Sequence, residues 1–336
     1  MCSVSNESGG NKRLVVHRRD AVTVDLNKGS GLDDQSIVED SQHVGLDGKF
    51  VVPAKRVAQL KEELGMTSDE LIKSLITPAS ALARPPISTF HVGAIGIGGS
   101  GNLYVGCNLE FANLPLYNSV HAEQFLLVNA LHHRETRIEK LAISAAPCGH
   151  CRQFFSELNC ADSIKFLFFN GSYSLGQLLP MRFKPTDLLE DPETPLLLLP
   201  QNNQVEFSPQ AEEQIQGWRD SGNTLLVQAA EAALEECRNA YCPYSRCPAS
   251  ASIVTDDGGV YAGGYIESAA YNPSMLPLQS AIIDAVIDGM PCYTKMTAAI
   301  LLETEGGAVQ HDRTMRVNVA QIAPQADFYV LHVQNI

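Results

Sequence analysis

The chain has 336 residues, which is long enough for two domains that each bury a hydrophobic core. Its 24 Lys and Arg against 38 Asp and Glu give a formal net charge of −14, which disfavours a polyanionic partner such as nucleic acid. No apolar run approaches the ~20 residues that a membrane-spanning helix needs. The 9 cysteines form no regular framework, which favours a reducing compartment. We therefore expect a cytoplasmic protein that binds a small molecule, with no nucleic acid or membrane as partner.

The N-terminal part divides into a tail and a helical segment. Residues 1–48 mix Gly, Ser, Asn and charged residues without periodicity, which predicts a flexible tail. Residues 49–84 have helical character in two pieces. Gly65 is a typical C-terminal stop for the first helix, and Thr67 with Ser68 is a typical cap for the second.

Residues 85–195 have the alternating pattern of an α/β domain, in which short apolar runs predict strands and longer amphipathic runs predict helices. A linker or a family-specific connection is expected over residues 196–217, because this stretch is rich in Pro, Gln and Asn. The predicted strands lie near residues 90–97, 102–107, 141–146 and 164–169, and the predicted helices at residues 120–133 and 149–158.

The helix predicted at residues 120–133 begins with an unusual pair. His121 and Glu123 are two positions apart, so on a regular helix they would point to opposite sides. At the open N-terminal end, after the cap residues Asn118 and Ser119, both side chains can bend toward one point. The alternative is an ordinary polar first turn. The pair predicts a site in front of the helix.

A second helix N-terminus carries two cysteines. Residues 141–146 form a strand-like run that breaks at Pro147 and passes into a helix with Cys148 and Cys151. A helix N-terminus favours the thiolate, and the C-x-x-C spacing lets both sulfurs reach one metal ion. With His121 they provide three zinc ligands and an open fourth position, as in a catalytic site. Two alternatives are a redox pair and a closed site completed by His150.

The two motifs together carry a family resemblance. His121-Ala122-Glu123 followed by Pro147-Cys148-Gly149-His150-Cys151 resembles the H-x-E and P-C-x-x-C signature of zinc-dependent nucleobase and nucleoside deaminases. The resemblance implies that His121, Cys148 and Cys151 hold one Zn²⁺ per chain and that Glu123 is the catalytic acid/base.

Residues 85–96 and 101–115 resemble the substrate half of cytidine deaminases that act on free nucleosides. The resemblance implies that Phe90 packs on the pyrimidine, that Asn108 and Glu110 bind the ribose hydroxyls, and that the backbone at Ala122 helps to read the base. Asn108 and Glu110 occupy alternate positions near a strand end, so their side chains share one face. The alternatives are a core aromatic residue for Phe90 and a polar strand edge for the other two.

The C-terminal part repeats the first without its metal ligands. Residues 243–268 align with residues 86–111 without a gap. The aligned identities include Pro243 with Pro86, Ser245 with Ser88, Tyr261 with Tyr104, Gly263 with Gly106 and Glu267 with Glu110. Where the H-x-E motif should recur, residues 276–286 contain no histidine, and no C-x-x-C pair follows. We predict that residues 218–336 form a catalytically silent copy of residues 85–195.

This arrangement resembles the long-chain, two-domain, homodimeric type of the cytidine and deoxycytidylate deaminase family. The resemblance implies a duplicated three-layer α/β/α fold with one active and one degenerate domain, after a small N-terminal helical segment. It also implies that Phe183 closes the pocket of the partner subunit, whereas the alternative is a local core residue.

The implied activity is hydrolytic deamination of cytidine and deoxycytidine to uridine and deoxyuridine, with release of ammonia, in pyrimidine salvage. Two alternatives remain open. One is deamination of a nucleotide or of cytosine in nucleic acid, and the other is a zinc-stabilised scaffold without catalysis.

Overall fold

The protein is described here by a computed structural model that covers residue 46 and residues 48–336. The predicted flexible tail, residues 1–48, therefore lies almost entirely outside the described residues. Within the described part, none of the helices combines the length and the apolar character that crossing a lipid bilayer requires.

The first copy of the fold occupies residues 48–200. Its helical segment agrees with the prediction: the first helix ends at Gly65, which has a left-handed φ of 64°, and the second is capped by Thr67 in a capping box with Glu70. The strands are β1 (Val51–Val52), β2 (Gly93–Gly98), β3 (Leu103–Cys107), β4 (Ile138–Ile143), β5 (Lys165–Phe168) and β6 (Gly171–Tyr173). The helices are α1 (Ala54–Leu64), α2 (Ser68–Ser74), α3 (Ile76–Ser80), α4 (Ala122–His132), α5 (Gly149–Phe154) and α6 (Leu175–Leu178).

The second copy occupies residues 205–336. Its strands are β7 (Val205–Phe207), β8 (Ala249–Thr255), β9 (Val260–Gly264), β10 (Met296–Thr304) and β11 (Asp327–Asn335). Its helices are α7 (Pro209–Asp220), α8 (Thr224–Arg238), α9 (Pro277–Ile287) and α10 (Asp312–Ile322).

The stretch predicted as a linker, residues 196–217, differs from a simple connection. Val205 and Phe207 are buried on one face of β7, which pairs with β11. Ser208 then accepts a hydrogen bond from the backbone of Ala211 and caps α7, whose first residue is Pro209. The segment alternates apolar and polar residues over only three positions, which is too short a pattern to predict a strand.

The two sheets share one topology. The first has the strand order β1-β3-β2-β4-β5-β6, and the second has the order β7-β11-β10-β8-β9. In the first copy β2 is antiparallel to both β3 and β4, and β4 is parallel to β5. In the second copy β8 is antiparallel to both β9 and β10, and β10 is parallel to β11. The predicted duplication is confirmed, since β2, β3, β4 and β5 correspond to β8, β9, β10 and β11.

Each sheet carries helices on both faces, as the predicted three-layer arrangement requires. Strand β10 shows the principle: Ala299 and Leu301 join the large core shared by both copies, whereas Ile300 and Leu302 join the core under α7 and α8. Helices α4 and α9 contact each other between the two sheets. Helix α4, which begins directly after His121, therefore lies at the centre of the molecule.

Two glycines set how closely these central helices approach their sheets. A Cβ atom at Gly106 of β3 would lie 2.1 Å from the carbonyl oxygen of Ala122, in the first turn of α4. At the matching Gly263 of β9, a Cβ atom would lie 2.5 Å from the backbone nitrogen of Ala281 in α9. No side chain fits at either position, so the glycines fix the depth at which α4 and α9 begin.

An ion pair ties the helical segment to the sheet and supplies a test of this packing. Asp69 of α2 accepts hydrogen bonds from Lys140 of β4 at 2.5 Å and Lys165 of β5 at 2.9 Å. These two lysines lower the pKa of Asp69. Because the pairs are partly exposed, Asp69→Asn should reduce the free energy of unfolding at pH 7 by only about 0.5–1 kcal/mol.

The sign of the pH dependence follows from the lowered pKa. The contribution of Asp69 is fully present above its ordinary pKa and is lost as the pH falls through the lowered value. Urea unfolding of the two proteins at pH 7 and in acid measures the difference. A difference that grows on acidification would contradict this account.

Candidate active site

Three potential metal ligands meet at the N-termini of α4 and α5. His121 is the N-cap residue of α4, and Cys148 is the N-cap residue of α5, with Cys151 in its first turn. The Nδ1 atom of His121 lies 3.4 Å from Sγ of Cys148 and 3.3 Å from Sγ of Cys151. Helix α4 follows β3 and packs on β3 and β2, and α5 follows β4, which pairs with β2, so one sheet brings the two motifs together.

These distances fit a zinc ion. A tetrahedral zinc with bonds of about 2.3 Å to sulfur and about 2.0 Å to nitrogen holds those two atoms about 3.5 Å apart. In the described part of the chain, the His, Cys, Asp and Glu residues form one such group, and it consists of His121, Cys148 and Cys151. His150 is outside this group, so three protein ligands, rather than four, are available at the site.

The pKa values of the two cysteines in the site are shifted in opposite directions. The hydrogen bond from Cys151 and the interactions with His121 lower the pKa of Cys148 to about 3. The hydrogen bond to Cys148, together with burial, raises the pKa of Cys151 well above its ordinary value. The hydrogen bond with Cys148 raises the pKa of His121. A metal cation at the centre of the three donors would favour two thiolates and a neutral imidazole, so metal binding would release protons.

Glu123 lies beside this group and is almost completely buried. Its carboxyl interacts with His121, Cys148 and Cys151, and burial raises its pKa. A raised pKa makes the carboxylate a stronger base and lets its protonated form persist to higher pH, which suits a group that both accepts and donates a proton. The structure thus places Glu123 at the ligand cluster but outside the ligand set.

Arg152 stabilises the surroundings of α5. It directly follows Cys151, a position from which an arginine can donate a hydrogen bond to a thiolate. Instead its Nε donates to the carbonyl oxygen of Pro147 at 2.7 Å and its Nη1 to that of Leu178 at 2.7 Å. The guanidinium therefore ties the loop before Cys148 to the end of α6.

Gln124 was missed by the sequence reasoning. Its Nε2 lies 3.1 Å from Nε2 of His150 and donates to the carbonyl oxygen of Pro273 in the second copy at 3.3 Å. Its Oε1 accepts from the backbone nitrogen of His121 at 3.5 Å. Glutamine at the third helical position is a capping-box signal, and Gln279 repeats it in α9, so the residue could have been found.

Asn108 and Glu110 shape the loop that carries Phe90. Asn108 is buried; its Oδ1 accepts from the backbone nitrogen of Val92 at 2.8 Å, and its Nδ2 donates to the carbonyl oxygen of Phe90 at 3.0 Å. Phe90 itself is 61% exposed, which excludes the core alternative within this chain. The amide keeps a second N–H for another partner.

The carboxylate of Glu110 accepts hydrogen bonds from the backbone nitrogens of Ile87 and Ser88, both at 2.9 Å, and from the Ser88 hydroxyl at 2.5 Å. Partial burial acts to raise its pKa, but these hydrogen bonds outweigh burial and the pKa is lowered. Glu110 is therefore an anion with further acceptor capacity, directed toward the loop before Phe90.

The remaining two predicted residues lie in different surroundings. Ala122 is fully buried at the start of α4, where its carbonyl oxygen faces Gly106. Phe183 is 42% exposed, and its carbonyl oxygen accepts a hydrogen bond from Nε2 of Gln153 at 2.6 Å. The exposed ring is not part of the core of its own chain, and the hydrogen bond ties its loop to helix α5.

The second copy keeps the scaffold of the site and has lost its chemistry. Glu267 accepts from the backbone nitrogens of Tyr244 at 2.9 Å and Ser245 at 3.1 Å, as Glu110 does in the first copy. The N-cap of α9 is Leu276 in place of His121, and Leu278 stands in place of Glu123. Apolar side chains at both positions cannot bind a metal or move a proton.

In the second copy His311 takes the position of Cys148. Cys148 is the N-cap of α5, which follows β4, and His311 is the N-cap of α10, which follows the corresponding strand β10. This ring is buried and packs edge-on against Tyr265 with 4.5 Å between the ring centroids. Burial lowers the pKa of His311 to about 4, so the ring is neutral. Aromatic packing thus fills the space where the first copy has its sulfurs.

Comparisons with known proteins agree with this geometry. Residues 66–167 and residues 175–316 each match the family description "Cytidine and deoxycytidylate deaminase zinc-binding region". The chain is 41% identical to "Cytidine deaminase 1" of Arabidopsis thaliana over 298 residues, which covers 84% of this chain and 97% of the relative. The chain belongs to the cytidine and deoxycytidylate deaminase family. Its zinc-binding region includes His121, Cys148 and Cys151, so zinc is the cofactor that this donor set fits.

Other relatives of this deaminase chain extend to bacteria. It is 38% identical to "Cytidine deaminase" of Shewanella loihica over 257 residues, which covers 76% of this chain and 80% of the relative. Among solved structures, cytidine deaminase from Mycobacterium tuberculosis is 29% identical and has a TM-score of 0.32, and the match covers 35% of this chain and 98% of that one.

The lowered pKa of Cys148 predicts that this cysteine is alkylated before the others. In zinc-stripped protein at pH 6, iodoacetamide should modify Cys148 first, because its pKa is about 3 and its side chain is exposed. Buried Cys107, whose pKa burial raises to about 12, is the internal control and should stay unmodified. Peptide mass spectrometry measures both. Added zinc should protect Cys148, and equal modification with and without zinc would contradict the assignment of this sulfur as a ligand.

Proposed function

We propose that this protein is a zinc-dependent cytidine deaminase that converts cytidine and deoxycytidine to uridine and deoxyuridine with release of ammonia, in pyrimidine salvage. The observation that carries the proposal is a buried carboxyl, Glu123, next to a group of three zinc ligands that leaves one position open. The relatives named cytidine deaminase, which match most of the chain, support this choice of substrate.

Glu123 is the residue that we assign to proton transfer. Zinc, when bound, supplies Lewis acidity that lowers the pKa of a water molecule and makes it a nucleophile near neutral pH. The carboxylate of Glu123 takes the proton that this water loses and delivers it to N3 of the pyrimidine as oxygen bonds to C4. The same carboxylate then takes the proton of the hydroxyl formed at C4 and transfers it to the amino group, so that the C4–N bond breaks, a carbonyl forms at C4 and ammonia leaves. The net reaction is cytidine plus water to uridine plus ammonia.

The residues of the first copy around the loop of Phe90 fit a nucleoside. We assign the exposed ring of Phe90 to the base, the free N–H of Asn108 and the carboxylate of Glu110 to the ribose hydroxyls, and the backbone at Ala122 to recognition of the base. An anionic Glu110 would repel a phosphate group, which favours a nucleoside over a nucleotide. The net charge of −14 likewise disfavours nucleic acid.

The decisive experiment compares substrates with a matched inactive variant. Purified protein with zinc should release ammonia from cytidine and deoxycytidine but not from cytidylate or adenosine. Glu123→Gln keeps the shape of the side chain and should lower the rate at least ~10²-fold, the scale expected for loss of a general acid/base, while zinc content stays unchanged.

Three outcomes would count against the proposal. Preference for cytidylate would indicate a nucleotide deaminase. Zinc binding without ammonia release from these substrates would indicate a zinc-stabilised scaffold. A Glu123→Gln variant that works at the rate of the unchanged protein would remove Glu123 from the mechanism.

We further propose that the protein works as a homodimer in the cytoplasm. Several large apolar side chains near the site are exposed on the single chain: Ile87, Phe90, Leu116, Tyr117, Met181 and Phe183. A second copy of the chain that covers this surface would exclude water from the zinc site and would strengthen its electrostatics. In this proposal the partner subunit's Phe183 closes the pocket over the base.

A mixing experiment tests the shared pocket. Glu123→Gln and Phe183→Ala are each expected to be inactive or nearly so as pure proteins. Hybrid dimers would contain one pocket with an intact Glu123 that receives Phe183 from the other chain, so part of the activity should return on mixing. Native mass spectrometry shows whether hybrids form. Hybrids that remain as inactive as both parents would place Phe183 within its own subunit.

A further inference from the structure

Glu157 is a fully buried carboxylate whose function the deaminase chemistry does not explain. It lies in the 3₁₀ turn Phe155–Glu157, directly after helix α5 of the zinc site. In the described part of the chain, no basic side chain lies within ion-pair distance of its carboxylate, and burial raises its pKa. A buried carboxyl without a basic partner is costly, so it must be stabilised by hydrogen bonds.

All the hydrogen bonds that the Glu157 carboxylate accepts in the described structure come from the second copy. Oε1 accepts from the Ser268 hydroxyl at 3.1 Å and the backbone nitrogen of Ala269 at 2.8 Å. Oε2 accepts from the hydroxyls of Tyr241 at 3.1 Å and Tyr244 at 2.5 Å. Both oxygens are thus held across the boundary between the two copies.

The donors lie in the part of the second copy that corresponds to the nucleoside-binding part of the first. In the repeat alignment, Tyr244 matches Ile87 of the loop held by Glu110, and Ser268 matches Phe111. The loop of Tyr244 is held by Glu267 as the loop of Ile87 is held by Glu110. The silent copy has therefore kept the loop geometry but presents hydroxyl groups where the first copy has apolar side chains.

Glu157 is linked mechanically to the zinc ligands. Helix α5 has only six residues, and Glu157 follows Cys151 by six positions, which corresponds to roughly 9 Å along a helix. The other end of this element is braced by Arg152 on Pro147 and Leu178. These contacts at both ends restrict the rotation of a short helix and therefore restrict the directions of its sulfurs.

We propose that Glu157 is a positioning residue, through which the silent copy holds helix α5 and fixes the two cysteine sulfurs in the geometry that zinc requires. The silent copy thereby takes part in zinc retention through a receptor built from Tyr241, Tyr244, Ser268 and Ala269. This inference rests on the proposed zinc site.

The test measures zinc release, which is independent of the deaminase assay. Zinc-loaded protein is mixed with a chromophoric chelator at a temperature well below unfolding. Glu157→Ala should release zinc roughly tenfold faster than the unchanged protein, the lower end of the effect expected for residues that orient metal ligands. Tyr244→Phe removes one hydroxyl donor of the second copy and should also accelerate zinc release, by a smaller factor.

Glu157→Gln is the conservative variant. Its amide oxygen can accept from Ser268 and Ala269, and the tyrosine hydroxyls can turn to accept from its amide nitrogen, so this variant should release zinc as slowly as the unchanged protein.

A matched control separates positioning from general destabilisation. Glu135 is also a buried carboxylate, but it accepts from Ser100, Tyr104, Thr136 and Arg137 within the first copy, beyond the far end of α4. Glu135→Ala should lower the melting temperature and leave the rate of zinc release unchanged. In steady-state kinetics, Glu157→Ala should lower kcat more than it changes KM for cytidine, since the loop of Phe90 is untouched.

The results distinguish the inference from the proposed function. If Tyr244→Phe and Glu157→Ala melt earlier but release zinc as slowly as the unchanged protein, Glu157 is structural only and the inference is wrong. Faster zinc release from these variants would support the inference even if the protein acted on a substrate other than cytidine. An unchanged protein that binds no zinc would overturn the proposed function and the inference together.

Discussion

The structure depends on holding two helix N-termini, those of α4 and α5, a few ångströms apart. The three zinc donors are divided between them, and each N-terminus is electropositive, so the two ends repel unless anionic groups lie between them. The thiolate of Cys148 provides negative charge between them. The sheet determines the distance, because Gly106 allows α4 to approach β3 more closely than any side chain would permit.

The duplication explains why such a site lies at the centre of a two-copy molecule. Helices α4 and α9 contact each other between the sheets, so α4 is covered by protein rather than by water. The second copy also contacts residues around the site: Gln279 and Asn318 donate to Asn118 just before α4, and Pro273 accepts from Gln124 in its first turn. A copy without a metal can still stabilise the copy that has one, because packing and hydrogen bonds do not require the lost ligands.

The loss of chemistry in the second copy follows simple physical rules. Leu276 and Leu278 stand where the first copy has His121 and Glu123, and buried His311 packs against Tyr265 as a neutral ring. Without a metal ion, histidine and glutamate at the start of α9 would be buried polar groups without partners, which destabilise a core. Apolar replacements remove that cost and preserve the helix.

The sequence by itself determined the features that depend on neighbouring residues. The two zinc motifs, the glycine stop at Gly65, the cap at Thr67 and the gapless repeat are local patterns, and each predicts its structure because helix starts and turns are governed by nearby side chains. The tertiary structure alone decided what depends on distant partners. It showed Arg152 on carbonyl oxygens instead of sulfur, β7 as a strand paired with β11, and Glu157 among donors more than 80 residues away. Such contacts follow from strand order and from the packing of one copy on the other. The residues around Glu157 in the sequence do not reveal which distant donors stabilise its carboxylate.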